Sequence, residues 1–337
     1  MEKSSEIEIK APLILAEIQK ATSILLHCHP SPDPDSVGSA LAMKFVLEGM
    51  GKKVTVIQGD SKIPLAFMHF PGAKEIISKN FFEINIKDFD LFIILDSGSK
   101  EMISRFKPIE LPLVIKSIVI DHHFSNKGFA DINLVESKYP ATCQVLFDLF
   151  KSWNIEITEN VAQNLFIGLY TDTGGFKYEG VSAKTFMTAA ELAKIIKNLP
   201  ELIFRMENSN MSDLIVFQGL ALSNVEEHLN GKLAMAVVSN KMIMEKGIDI
   251  QNVGGSDISP TLKTVIGWDI DVALVEVQPG KNKVSFRTRD AEKYDVSKLA
   301  AMLGGGGHKA ASGAVLNMPI EDAKRIVVEK AKELYNL

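Results

Sequence analysis

Val119-Ile120-Asp121-His122-His123 joins a β-branched apolar pair to an acid and two imidazoles. The apolar part reads as a strand buried on both faces, the kind that parallel sheets use. Such a strand can carry an acid and two imidazoles only at an exposed end. In open α/β sheets that is the carboxyl end, where ligands bind. Two further apolar runs finish the same way. Ile24-Leu25-Leu26 leads into His27-Cys28-His29 and then Pro30-Ser31-Pro32-Asp33-Pro34-Asp35, and Leu91-Phe92-Ile93-Ile94-Leu95 ends on Asp96. Three strands that deliver His and Asp to one edge predict a metal centre there.

Working outward, residues 1–20 read as an amphipathic helix over the sheet edge, followed by a strand at about Ser23–His27. The prolines of the acidic loop exclude helix until Ser36, an N-cap that opens a helix over Val37–Gly49, with Gly38 allowing close packing beside the site. Strands follow at Val54–Ile57, Asp90–Leu95, Ser117–Ile120 and Asp131–Val135, with a surface helix or loop at Pro64–Gly72. The alternation predicts a parallel, doubly wound α/β sheet. Helices then dominate: Ala141–Trp153, Glu159–Tyr170 and Ala183–Ile196, with Asp172 in the loop 171–175. A boundary falls at 197–200. The predicted division is a catalytic metal-binding domain over 1–196, a linker and connecting helix over 197–228, and a smaller α/β domain over 229–337. In that last part Leu233–Ser239, Ile270–Val277, Lys283–Thr288 and Ala314–Leu316 read as strands. Val296–Leu303 and Ile320–Leu334 read as helices, and Gly304–His308 as a glycine loop.

The 337 residues exceed a typical single domain, and 46% hydrophobic with 23% charged residues is ordinary for a globular chain with sizeable cores. A formal net charge of −5 argues against broad nucleic-acid affinity, which needs a basic face. Two cysteines, Cys28 and Cys143, exclude a disulfide framework and fit a reducing compartment. The charged N-terminal stretch lacks a signal-peptide core and no apolar run approaches the ~20 residues of a spanning helix. A cytoplasmic location is the expectation.

Each motif has a plain structural reading beside the chemical one. His29, Asp33 and Asp35 lie on a loop stiffened by Pro32 and Pro34, a preorganised imidazole and carboxylate set that suits Mn²⁺ better than a thiolate-type zinc site. Taken alone, the same loop could be an Asx-rich helix cap. Asp96 could be a strand-to-loop cap and Asp172 a helix C-terminal residue. Adjacent His122 and His123 after a buried strand are harder to justify structurally: one reads as a ligand, the other as a phosphate contact or proton donor. Four clustered acids would repel one another unless cations neutralise them, and a carboxylate bridging two metals ~3.5–4 Å apart is the arrangement of two-metal hydrolysis. Gly304-Gly305-Gly306-Gly307-His308-Lys309 offers bare N–H groups to an anion, and Arg287 and Arg289 alternate on the preceding strand, sharing a face that could grip phosphate. A flexible turn and an exposed edge strand are the plain readings. His27, His69 and His228 read as ordinary histidines, and Cys143 as core.

Together these motifs resemble the DHH phosphoesterase superfamily, in the branch with a DHH-associated C-terminal domain, over roughly residues 20–335. Within it the likeness is to the nanoRNases, bifunctional oligoribonucleases and phosphoadenosine-phosphate phosphatases. Asp121-His122-His123 and Gly304-Gly305-Gly306-Gly307-His308, in that order, carry it most specifically. The resemblance implies two Mn²⁺ ions, with Mg²⁺ or Co²⁺ as substitutes. His29, Asp33 and Asp96 would hold the first; Asp35, Asp96, His122 and Asp172 the second, with Asp96 bridging. His123 would touch the scissile phosphate or leaving group. Arg287, Gly305, Gly306, Gly307 and His308 would hold the far phosphate and nucleotide, so catalysis should need the domains closed on each other. Two departures stand out. Ser31-Pro32-Asp33-Pro34-Asp35 replaces the usual Asn-Pro-Asp-Gly-Asp, and Ser312 stands where alanine is frequent.

The function this implies is Mn²⁺-dependent hydrolysis of short oligoribonucleotides or dinucleotides such as pApA or pGpG to 5′-mononucleotides, with 3′-phosphoadenosine 5′-phosphate as a second substrate. A homodimer is compatible with it, and no membrane partner is expected. The sequence reads as lacking the membrane and sensory segments of the cyclic-dinucleotide phosphodiesterases, so linear substrates are the expectation. The rivals are a RecJ-like single-strand exonuclease, which would want a basic track, and a non-catalytic nucleotide sensor, which the full ligand set opposes. A family II pyrophosphatase would lack the His308 loop.

Overall fold

The computed structural model describes residues 5–110, 113–178, 180–253 and 258–337. Its contacts divide the chain into two units, 1–209 and 210–337. The first contains, in order, α1 (Glu6–Lys20), β1 (Ser23–His27), α2 (Pro34–Gly49), β2 (Lys53–Ile57), β3 (Leu91–Leu95), β4 (Lys116–Asp121), β5 (Ile132–Val135), α3 (Thr142–Ser152), α4 (Glu159–Asp172), α5 (Ala183–Ile195) and α6 (Leu199–Glu207). The N-terminal helix begins at Glu6 with Ser5 as its cap; the first four residues of the stretch read as helix lie outside the described residues.

The strands form a parallel five-stranded sheet in the order β2-β1-β3-β4-β5. Both faces are buried, as continuous apolar strands require. Ile24, Leu26, Ile93, Leu95, Ile118 and Ile120 pack under helices, in a core shared with residues of α1 to α6. Leu25, Phe92, Ile94 and Val119 face the other way, against Phe81, Ile103 and Ile109. That second face is covered by 3₁₀ turns and loops, not by long helices. Strand periodicity reports burial but not what provides it. β1 pairs with β2 on one side and β3 on the other, so the strand order reverses between β1 and β3 and a crevice opens at their carboxyl ends.

Two elements differ from expectation. Helix α2 begins at Pro34, and Asp33, not Ser36, is its N-cap, with its carboxylate accepting from Ser36 N–H. Proline at the first helical position forfeits only an N–H that has no partner in the helix, so it starts a helix as readily as it bars one. Residues 197–228 are also not one connecting helix. α6 packs through Leu202 into the first core, and the rest belongs to the second unit.

The second unit contains α7 (Ser212–Leu222), β6 (Val225–His228), β7 (Leu233–Val238), α8 (Asn240–Glu245), α9 (Ile250–Val253), α10 (Ser259–Leu262), β8 (Ile270–Gln278), β9 (Lys281–Thr288), α11 (Val296–Met302), β10 (Gly306–His308), β11 (Ala311–Asn317) and α12 (Ile320–Tyr335). Its mixed sheet runs β10-β11-β9-β8-β7-β6, parallel only between β7 and β8. One face packs on α11 and α12, the other on α7, α8 and the segments that follow. Among the described residues no helix is long and apolar enough to cross a membrane.

Candidate metal centre

The crevice between β1 and β3 gathers the side chains singled out in the sequence. Asp96 follows β3 directly, is buried, and holds a left-handed backbone (φ +54°) that non-glycine residues rarely adopt. Its N–H donates to Ile120 O at 3.0 Å, which ties it to β4 and helps to hold this strained conformation. His29 lies on one side, with Nε2 3.4 Å from Asp96 Oδ2 and Nδ1 3.3 Å from Asp33 Oδ2. On the other side His122 Nε2 is 3.5 Å from Asp96 Oδ1 and 3.3 Å from Asp172 Oδ2. His122 Nδ1 donates to Tyr139 O at 3.2 Å, which fixes the tautomer and leaves the Nε2 lone pair facing the carboxylates.

Ligand atoms of His29, Asp33 and Asp96 lie within 4.8 Å of one another, as do those of Asp35, His122 and Asp172, and those of Asp96, His122 and His123. Asp172 is the last residue of α4, so a helix end and not a loop delivers it.

The electrostatics call for cations. Among the described residues the ion pairs of Asp33, Asp96 and Asp172 are all with imidazoles. Burial, and then the neighbouring Asp35, Asp33, Asp172 and Asp121, push the Asp96 carboxyl well above its ordinary range. Burial with Asp35 and Asp33 pushes Asp172 up to about 8, against the opposing pull of His123. Carboxylates that repel one another this strongly, with imidazole nitrogens between them, fit hard-to-intermediate divalent ions.

His123 is set apart from this. Its Nδ1 donates to Asp121 Oδ1 at 2.7 Å, and Asp121 Oδ2 accepts from Asn126 at 2.8 Å. Burial lowers the His123 pKa, but the Asp121 hydrogen bond and charge outweigh it and hold the imidazole above its ordinary value. Asp121 is itself held low: burial raises it, and the bonds to His123 and Asn126 prevail.

Thr142, the Cys143 N–H and Gly168 went unnoticed in the sequence, whereas Gly38 was expected to allow close packing here. Thr142 donates through Oγ1 to Asp96 Oδ1 (2.9 Å) and through N–H to Asp35 Oδ2 (2.7 Å), and Cys143 N–H donates to Asp35 Oδ1 (3.1 Å). The start of α3 thus aims free N–H groups at a ligand carboxylate, for which a helix N-terminus is suited. A Cβ on Gly168 would fall 2.5 Å from Asp35 Oδ1, and one on Gly38 2.6 Å from Asn164 O, so glycines let α2 and α4 cross closely enough to seat Asp35. A threonine at a helix start was the one signal for the Thr142 and Cys143 donors. His27 is ordinary, held neutral by burial, with its pKa down to about 3.

In the second unit the glycine stretch is not a loop. Gly306–His308 form an edge strand paired with β11, and Gly305 and Gly307 have no room for a Cβ against the Gly313 carbonyl and the Ser312 backbone. His308, Ala311 and Arg287 are directly paired across β10, β11 and β9, so they share one sheet face, with His308 and Arg287 two strand spacings, about 10 Å, apart. Arg289 does not join them. Its Nη1 donates to Lys263 O and Val265 O, both at 2.9 Å, capping the chain after α10.

A parallel sheet whose switch point carries two imidazole–carboxylate sets is the frame of a metal-dependent hydrolase. The chain belongs to the DHH family: the DHH family N-terminal domain matches residues 23–169 and the DHHA1 domain residues 230–336. It is 28% identical to the bifunctional oligoribonuclease and PAP phosphatase NrnA of Thermus thermophilus, over 95% of this chain and 93% of that one. The protein of the same name from Bacillus subtilis is 25% identical over 94% and 96%. In fold it matches the crystal structure of an exopolyphosphatase-related protein from Bacteroides fragilis, with a TM-score of 0.87 over 98% of each chain at 22% identity.

Proposed function

We propose that the protein hydrolyses short oligoribonucleotides and dinucleotides to 5′-mononucleotides, with Mn²⁺ as its metal, and removes the 3′-phosphate of 3′-phosphoadenosine 5′-phosphate. The observation that carries this is the pair of imidazole–carboxylate sets flanking the buried Asp96. His29, Asp33 and Asp96 would hold one ion, and Asp35, Asp96, His122 and Asp172 the other, with Asp96 shared. When bound, two divalent ions supply Lewis acidity toward a phosphoryl oxygen and a water acidic enough to ionise near neutral pH.

Both substrate types present the same bond, from phosphorus to a ribose 3′-oxygen, so one arrangement serves both. Water oxygen bonds to phosphorus, the P–O3′ bond breaks, and the departing 3′-oxygen takes a proton. That donor is assigned to His123: Asp121 occupies Nδ1 and favours the protonated ring, which leaves Nε2–H for the substrate. Thr142 and Cys143 N–H groups keep the Asp35 carboxylate oriented. Arg287, His308 and the backbone of Gly305, Gly306 and Gly307 are assigned to the phosphate and nucleotide remote from the cut. The net charge of −5 favours short substrates, since long strands gain affinity from many basic contacts.

The test is turnover with Mn²⁺ on a 5′-phosphorylated diribonucleotide, a long single strand and phosphoadenosine phosphate. Fast cleavage of the first and third with little of the second is expected. Preference for the long strand would replace this reading with a RecJ-like exonuclease.

A further inference from the structure

Immediately after His123 the chain displays a feature that metal chemistry does not use. Phe124 is 81% exposed, the most exposed phenylalanine among the described residues. A ring left in water gains nothing from folding, and a turn needs no aromatic residue. The turn is nevertheless firmly pinned. Asn126 N–H donates to His123 O at 3.1 Å, and Asn126 Nδ2 donates to Asp121 Oδ2 at 2.8 Å and to Ser97 O at 3.0 Å. Gly128 N–H donates back to Asn126 Oδ1 at 2.8 Å. The carboxylate that orients His123 therefore also anchors the turn that carries Phe124, and the loop after β3 packs against it, leaving Gly98 room for a Cβ only 3.2 Å from His123 Cβ. Lys127 closes the group, with Nζ 4.9 Å from the centre of the Phe124 ring and 3.5 Å from Phe124 O.

An exposed π-face carried on a pinned turn one residue from the candidate proton donor, with an ammonium beside it, matches the chemistry of a nucleotide: a base to stack and a phosphate to attract. We propose that Phe124 is a stacking platform for one nucleobase of the substrate, and that Lys127 neutralises a phosphate of the same nucleotide. This rests on the oligoribonucleotide reading above and adds to it a residue that sets which substrates bind. Stacking reads no hydrogen-bond pattern, so the platform accepts all four bases and favours the larger purines.

The test uses the full chain with Mn²⁺ and three substrates: the 5′-phosphorylated adenylyl dinucleotide and two analogues, each lacking the base of one nucleotide. Wild type should show a KM for the intact dinucleotide lower than for one of the analogues by roughly five- to hundredfold, the range that base–aromatic stacking supplies. Phe124→Ala should erase that ratio by raising KM for the intact substrate, with a much smaller change in kcat. Phe124→Trp should restore it. An unchanged KM in Phe124→Ala, or a rise equally large on both analogues, overturns the platform and leaves the hydrolase standing. Absence of dinucleotide turnover in wild type overturns the oligoribonucleotide reading, and the platform with it.

Discussion

Gly168→Ala isolates the packing that seats the metal centre. In a solvent-exposed helix interior the change would stabilise by about 1 kcal/mol, because alanine is the better helix former. On α4 the added Cβ would stand 2.5 Å from Asp35 Oδ1 and 3.0 Å from Asp35 Cα, and closer still to Cys143 Sγ. Carbon contacts settle at 3.5–4.0 Å. Two of the three obstructing atoms belong to Asp35 at the start of α2 and one of them is backbone, so the helices must part, at the upper end of the ~1–3 kcal/mol that overpacking costs. The net expectation is a loss of about 2 kcal/mol. For a unit of about 200 residues that lowers its melting temperature by about 4–8 °C. Asp35 also loses its alignment with the Thr142 and Cys143 N–H groups, so Mn²⁺ affinity should fall about 10–100-fold, as when a metal ligand loses its orienting partners. Scanning calorimetry and Mn²⁺ titration on the full chain measure both. Gly219→Ala on α7, where an added Cβ meets nothing within 4 Å, should move stability the opposite way. A Gly168→Ala protein that melts at or above wild type and binds Mn²⁺ equally well would refute the close crossing and with it the seating of Asp35.

Asp96→Ala removes the carboxylate assigned to both ions and should lower kcat/KM by at least roughly 10²–10³-fold; wild-type turnover would end the shared-ligand assignment. Mn²⁺ at a hundred times its dissociation constant should stabilise the first unit by about 2.7 kcal/mol, an increment that chelation reverses and Asp96→Ala lacks. Arg287→Ala should raise KM for the dinucleotide about tenfold or more with kcat little changed; equal KM values on every substrate would remove Arg287 from the site. Asp271 is fully buried on β8, and burial, helped by Asp269 and opposed by Arg289 and Lys263, raises its pKa from 3.8 to about 7. The unfolded chain ionises this group first, so its contribution to stability is full below about pH 4 and is lost as pH rises to about 7. Asp271→Asn should therefore stabilise the protein by an amount that grows between pH 5 and pH 8, to at most about 4 kcal/mol; a gain independent of pH would contradict the assignment.

The sheet was legible because its strands are short, carry apolar runs and lead into polar residues, a pattern that records both the burial and the direction of the edge. That is why Leu91–Leu95 and its following Asp96 emerged from the sequence with their position in the sheet implied. Less was legible where one residue type serves two geometries. Pro34 reads as a helix breaker until the helix is known to begin on it. The glycines 304–307 read as a flexible loop because glycine normally signals turns, yet Gly305 and Gly307 lie where the neighbouring Gly313 carbonyl and Ser312 backbone leave no space for a Cβ. Arg289 illustrates a third limit. Period-two alternation gives the face of a residue within a strand, but β9 ends at Thr288, and past that point the side chain was free to turn to the carbonyls after α10.

The groups that no local pattern could disclose share one property: each acts by tertiary approach. Thr142 and Cys143 lie more than a hundred residues from the Asp35 they hold, and Gly168 looks like an ordinary small residue in a helix until α2 is laid across it. Their arrangement also answers why Asp35 stays usable as an acceptor while fully buried. Two N–H groups at the start of α3 donate to its two oxygens, and Asp35 itself lies in the first turn of α2, where a helix N-terminus favours negative charge. Among the described residues Asp96 has Thr142 Oγ1 as the one hydrogen-bond donor to its carboxylate besides the neighbouring imidazoles, and it stands among four other acids, which with burial pushes its carboxyl so far upward. The ligand set is therefore graded. Asp35 is held in place by two N–H donors, whereas Asp96 becomes a comfortable anion only with cations beside it, so metal loading should be most sensitive to Asp96 and most readily upset, through geometry alone, at Asp35.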